Sequence, residues 1–154
     1  MNDTQQKKNP TPTVDTIIQR NSKILFVKRK KEPFKDHLVF PGGFVNEGEK
    51  VEDTAIREVK EETSLDIKLM DILGTYSDPK RDPRGHIMST VFIGEILPNG
   101  KTEATAGDDA AAIKWIDIEM CENESFGFDH KKIIGDYKKW MQSKGTYWSS
   151  KNTE

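Results

Sequence analysis

A chain of 154 residues has room for one domain with a real core but not for a second sizeable one, which points to a single active site. The net charge of −2 provides no basic field to grip a nucleic acid backbone, and 34% hydrophobic residues gathered in short alternating runs against 32% charged ones favour a soluble fold over disorder. A single cysteine, Cys121, excludes an internal disulfide framework and a thiolate metal cluster, and suits a reducing, cytoplasmic setting.

The amino terminus, Met1 to Pro12, is polar, and no apolar run approaches membrane-spanning length, so neither an export signal nor a membrane partner is expected. Residues 1–11 read as a flexible tail, 12–146 as the domain, and 147–154 as a second tail. Thr13 to Gln19 and Lys23 to Lys28 predict strands joined by a turn at Arg20-Asn21-Ser22. A charged loop, Lys30 to Asp36, leads to a short strand over Leu38 to Phe40 that Pro41-Gly42-Gly43 stops. From about Glu49 to Thr63 the pattern is helical, with no internal Gly or Pro. Strands follow at Leu65 to Tyr76, His86 to Ile96 and Ala111 to Ile118. A closing helix over Asp129 to Gln142 aligns Ile133, Tyr137, Trp140 and Met141 on one face, with Asp129 at its N-cap and His130 as its first residue. Two amphipathic helices among these strands predict an α/β class domain, an α/β/α sandwich around a mixed β-sheet.

The helix at 49–63 carries the chemistry. Glu58, Glu61 and Glu62 stand at i, i+3 and i+4, an acidic cluster that repels itself unless something neutralises it. Val51, Ala55 and Val59 form the apolar stripe, with Glu58 and Glu62 at its edge, while Lys50, Asp53, Arg57 and Lys60 lie toward the far side. Carboxylates at the rim of a core are costly unless paired or metal-bound, and such hard oxygen ligands suit Mg2+ or Mn2+. The same triplet taken alone would also suit an ordinary solvated face paired with Lys60 and Arg57.

The wider pattern separates those two possibilities. Gly43, Glu49, Arg57, Glu58, Val59, Glu61, Glu62 and Leu65 resemble the Nudix box, and all fall in its register; Ser64 departs from it, standing where the family usually has Gly in a left-handed position just past the helix. The resemblance implies Glu58 and Glu62 as main metal ligands, Glu61 completing the cluster or holding a metal-bound water, and a carbonyl of Gly42 or Gly43 as a further ligand. It implies Arg57 as the residue that orients the glutamates, and Glu49 near the metals; Glu49 equally suits a helix-start acid favoured by the dipole.

The loop Ser77 to His86 contains Arg81-Asp82-Pro83-Arg84-Gly85, and Gly107 to Ala110 and Phe128-Asp129-His130 follow it. These segments are similar to those of a narrower group, the small ADP-ribose pyrophosphatases. On this reading Arg81 and Arg84 clamp phosphate oxygens; otherwise they are charges of a surface turn. Phe34 and His37 are candidates to stack on or bond a base, and equally suit core or surface roles. Asp109 is the first choice for a loop base, with Asp108 and Glu103 next, the alternative being a turn in which Asp108 and Asp109 satisfy nearby amides.

The resemblance implies metal-assisted hydrolysis of ADP-ribose, a nucleoside diphosphate linked to a sugar, to AMP and ribose 5-phosphate, by a homodimer. A pyrophosphohydrolase of oxidised nucleoside triphosphates is the neighbouring alternative. A non-catalytic ADP-ribose or nucleotide sensor is the alternative of another class; degenerate box glutamates and an attached nucleic-acid-binding domain would have favoured it.

Overall fold

The computed structural model describes residues 9–107 and 110–153, which include eight strands and two helices. The central strand, β1 (Thr11–Arg20), is buried on both faces. Its alternation sends Val14 and Ile18 to one side and Ile17 to the other. One edge of β1 pairs in parallel with β6 (Ile87–Ile96), from Thr11 opposite Ile87 to Ile18 opposite Gly94. The other edge takes β2 (Lys23–Arg29) at its end and β4 (Gly42–Phe44) at its start. β3 (Leu38–Val39) and β7 (Ala110–Asp117) extend the sheet from β2; β5 (Ile67–Tyr76) and β8 (Tyr147–Trp148) extend it from β6.

Helix α1 (Val51–Thr63) sets Ala55 against Val14 and Phe92, and Val59 against Ile18, Leu25 and Leu65. Helix α2 (His130–Ser143) covers the opposite face, where Ile133, Ile134, Tyr137 and Trp140 meet Ile17, Phe26, Leu73 and Val91. The expected α/β/α sandwich with a mixed sheet is the observed one. None of the described helices is long and apolar enough to cross a membrane.

The departures are local. Gly42-Gly43, expected only as a stop, pairs with Asp15 and Val14 as β4. A Cβ at Gly42 would lie 2.2 Å from the Val14 carbonyl oxygen, so that strand can approach β1 only as glycine. Tyr147 and Trp148, expected to begin a tail, pair with Gly74 and Thr75 of β5, and Tyr147 is buried. A short 3-10 turn, Ile118–Asn123, follows β7, with the Asp117 carboxylate accepting the Glu119 amide hydrogen. Helix α1 starts at Val51 and ends where Ser64 enters the left-handed region at φ 67°.

Candidate active site

The strand pair β1–β4, the inner edge of α1 and the loop 81–84 enclose a cleft of about 310 Å³. Glu58 and Glu62 reach it from α1, and Gly42 and Gly43 from β4. The Gly42 N–H donates to Glu62 Oε2 at 2.8 Å, and a Cβ on Gly43 would stand 2.4 Å from the Glu58 carboxyl carbon. The two glycines thus let backbone and carboxylates touch. Burial pushes the Glu58 carboxyl above its usual range, with Arg57 opposing the shift.

Arg57, expected on the far side of the helix, folds back across it. Its Nε and Nη2 donate to the two oxygens of Glu49 at 2.8 and 3.0 Å, Nη1 to Glu58 at 2.7 Å and to Glu61 at 3.2 Å, and Nη2 also to the Phe44 carbonyl at 3.0 Å. One guanidinium therefore orients three glutamates, its planar fork matching their carboxylates. Glu49 also accepts from Thr54 Oγ1 and the Asn46 amide, and Arg57 leads the bonds that hold its carboxyl down to about 2. Neither Glu49 nor Glu61 lines the cleft; Glu61 is more than half exposed. Among the described residues no three His, Cys, Asp or Glu side chains close on one point, because Glu58 and Glu61 turn to Arg57 and Glu62 to the Gly42 amide. Two carboxylates at the cleft wall are nonetheless hard oxygen donors that fit a divalent cation completed by water.

The opposite wall separates the two expected phosphate clamps. Arg81 has a side chain only 3% exposed, and its Nε and Nη2 are committed to the two oxygens of Asp129 at 2.9 and 2.7 Å. It ties the loop to α2 and, though buried, still lines the cleft. Asp129 occupies the N-cap position but makes no capping bond, because its carboxylate is spent on Arg81. Arg84 is half-exposed, forks onto Asp82 at 3.1 and 2.8 Å, and lies 5.3 Å and 5.4 Å from the Phe44 and Phe128 rings. Arg29, at the end of β2, also faces the cleft, 5.1 Å from the Phe128 ring. Burial and then the nearby Arg84 charge lower its pKa. Sequence reasoning missed it, since it sits among Lys28, Lys30 and Lys31 and reads as part of a solvated run.

Phe34 lines an adjoining hollow of about 380 Å³ with Lys80, Pro83 and Lys132, and packs edge-on to Phe128 at 4.9 Å. His37 lines neither hollow; its ring meets Phe34 at 5.5 Å. The loop before β7 is tied to the end of α1: the Thr105 N–H donates to the Thr63 carbonyl at 2.8 Å and the Gly107 N–H to the Glu62 carbonyl at 2.9 Å. A Cβ at Gly107 would lie 2.0 Å from the Glu61 carbonyl oxygen, so this contact requires glycine. Glu103 in that loop is exposed; Asp108 and Asp109 lie outside the described residues.

A mixed sheet between two helices thus brings a glutamate-bearing helix end, a Gly-Gly strand and arginines to one cleft. The chain belongs to the NUDIX family, whose domain profile matches residues 9–137. It is 47% identical over 132 residues to the ADP-ribose pyrophosphatase of Methanocaldococcus jannaschii, covering 86% of this chain and 75% of that protein. It is 35% identical over 131 residues to a putative 8-oxo-dGTP diphosphatase of Bacillus subtilis, covering 82% and 78%. Among solved structures, the bifunctional NMN adenylyltransferase/ADP ribose pyrophosphatase of Francisella tularensis, complexed with AMP and a manganese ion, superposes with a TM-score of 0.73 at 31% identity, over 90% of this chain and 43% of that one.

Proposed function

We propose that this Nudix hydrolase cleaves the diphosphate of ADP-ribose to AMP and ribose 5-phosphate. The observation that carries the reading is the 47% identity, across most of both chains, to an ADP-ribose pyrophosphatase. The cleft supports it, with carboxylates on one wall and Arg84 and Arg29 on the other.

Glu58 and Glu62, with a carbonyl of Gly42 or Gly43, would hold Mg2+ or Mn2+, and Glu61 would complete the set or hold a bound water. When bound, the metal neutralises diphosphate charge and acidifies a water. Arg57 keeps Glu58 and Glu61 in place, and Arg84 with Arg29 offsets charge on the remaining phosphate oxygens. An oxygen–phosphorus bond forms from the water as the bridging phosphorus–oxygen bond breaks, and the water's proton passes to a loop carboxylate. Asp109 is proposed for that base, ahead of Asp108 and Glu103; the tie of Thr105 and Gly107 to α1 supports a base from this loop. Phe34, in the adjoining hollow, and Phe128 offer rings for an adenine.

We further propose a homodimer acting in the cytoplasm without a nucleic acid partner. Exposed Met70 and Ile72 on β5 give a second copy an apolar surface, and light scattering on the purified chain reads the mass directly.

A Mg2+-dependent product assay on ADP-ribose, run beside 8-oxo-dGTP and with Glu62→Gln as control, tests the function. AMP and ribose 5-phosphate from the wild type alone are expected. Turnover of only the triphosphate would select the second reading, which the 35% identity to a putative 8-oxo-dGTP diphosphatase favours.

A further inference from the structure

Beneath the cleft lies a group of buried polar side chains that the reaction does not use. Helix α2 opens on His130, whose side chain is only 2% exposed and whose ring lies 4.9 Å from that of Phe40. Its Nδ1 accepts the Phe40 backbone N–H at 3.1 Å. A backbone N–H can only donate, so Nδ1 carries no proton and the hydrogen of the neutral ring is on Nε2, which stands 3.6 Å from Asp15 Oδ2. Asp15 sits opposite Gly42 in the β1–β4 register, accepts the Ser89 hydroxyl at 2.6 Å, and lies 3.9 Å from Arg81 Nη2. Arg81 in turn grips Asp129, the residue before His130. The contacts close a ring that runs from His130 through Asp15, Arg81 and Asp129 back to His130, with Phe40 bonded to it at Nδ1.

A ring of charged groups this deep is an expensive way to fill a core, since apolar residues of the same volume carry no desolvation cost. Burial alone would raise the Asp15 carboxyl; His130, Arg81 and Ser89 together hold it below its usual range. The ring touches backbone on both sides of Pro41. Phe40 gives its N–H to His130, the Pro41 carbonyl accepts from the Thr16 N–H at 2.9 Å, and Gly42 gives its N–H to Glu62. Each of these polar groups in the turn has one assigned partner, and His130 is the one supplied from α2.

We propose that His130 is a positioning residue: by holding the Phe40 N–H and leaning on Asp15, it sets the turn from Phe40 to Gly43 at the place where Gly42 and Gly43 lie against Glu62 and Glu58. This inference rests on the reading of those glutamates as metal ligands. Asparagine places an acceptor oxygen where Nδ1 stands and so can hold the Phe40 N–H, whereas leucine fills the space without an acceptor.

The test titrates Mn2+ alone into the full chain, follows the free ion by electron paramagnetic resonance, and records a thermal scan of each metal-free variant. His130→Leu is expected to weaken Mn2+ binding by about tenfold or more, as changes behind a metal site do, and His130→Asn to recover it to within a few-fold. Equal binding by wild type and a folded His130→Leu, or equal losses in Leu and Asn variants, would overturn the inference. Should His130→Leu fail to fold, Ser89→Ala decides: it slackens Asp15 alone, and several-fold weaker binding supports the ring while unchanged binding sinks it. A wild type without any Mn2+ site sensitive to Glu62→Gln would instead refute the metal reading itself, which separates the two failures.

Discussion

Arg81 and Arg84 have the same side chain, stand three positions apart in one loop, and do different work. In the sequence both were equally good phosphate clamps, because residue type and spacing do not reveal that Arg81, though it lines the cleft, is buried and bonded to Asp129 beside Asp15, while Arg84 is exposed and bonded to Asp82. Arg29 was hidden for the converse reason: among lysines it reads as solvated, and only the strand geometry turns it toward Phe128. Truncating Arg81 to Met leaves two carboxylates without their guanidinium, a loss of about 3–5 kcal/mol for a broken buried pair. The expected result is a melting temperature lower by on the order of 10 °C for a domain of this size. Arg84→Lys keeps a charge beside Asp82 but loses the planar fork. It should raise KM for ADP-ribose by about tenfold, the cost of one charge-assisted contact of roughly 1.4 kcal/mol, with the melting temperature almost unmoved. A normal melting temperature in Arg81→Met combined with a raised KM would reverse the assignment of the two arginines.

Helix α1 was the most legible element, since an uninterrupted apolar stripe and an acidic edge survive in any context, yet both of its ends depended on tertiary contacts. Its start shifted to Val51 because Glu49 is drawn away to Arg57, Thr54 and the Asn46 amide. Those bonds, with Arg57 first, lower Glu49 from an ordinary 4.5 to about 2. A depressed carboxyl stabilises the fold above its unfolded value and loses that contribution as pH falls through the folded one. Acidification from pH 4.5 toward 2 should therefore lower the wild-type melting temperature more steeply than that of Glu49→Gln, and parallel curves would show that the Glu49 bonds do not couple to folding. At the other end, Ser64 adopts φ 67°, the left-handed position inferred from the family pattern. Ser64→Gly should relieve up to about 1 kcal/mol of that conformation and raise the melting temperature by roughly 2–4 °C without changing kcat/KM. The strands β4 and β8 escaped the sequence because two or three residues give no alternation to read, and because Gly-Gly signals a stop whether or not a neighbouring strand then pairs with it.

At the scale of the whole molecule, the sandwich was legible because two helices among the strands each carry an apolar stripe that must be buried against something, and β1, buried on both faces, lies between them. What the sequence could not show is how far the site is wired into that sandwich. Glu62 touches β4 through Gly42, its own carbonyl receives the loop before β7, and Glu58 is tied through Arg57 to Phe44 and to the start of α1. A cation that draws Glu58 and Glu62 together would therefore brace β4, α1 and the loop at once, and relieve the repulsion along the acidic helix edge. Binding to the folded state alone adds about 2.7 kcal/mol at a ligand concentration one hundred times Kd, which for a domain of this size is a rise of roughly 5–10 °C. Mn2+ at that excess should raise the wild-type melting temperature by this amount, EDTA should reverse the rise, and Glu62→Gln should flatten it. In the metal-free state the same variant removes one charge from a repelling cluster, so it should melt no lower than the wild type by more than the loss of its bond to the Gly42 amide, about 1 kcal/mol. A Mn2+ rise that persists in Glu62→Gln would place the stabilising metal elsewhere on the molecule.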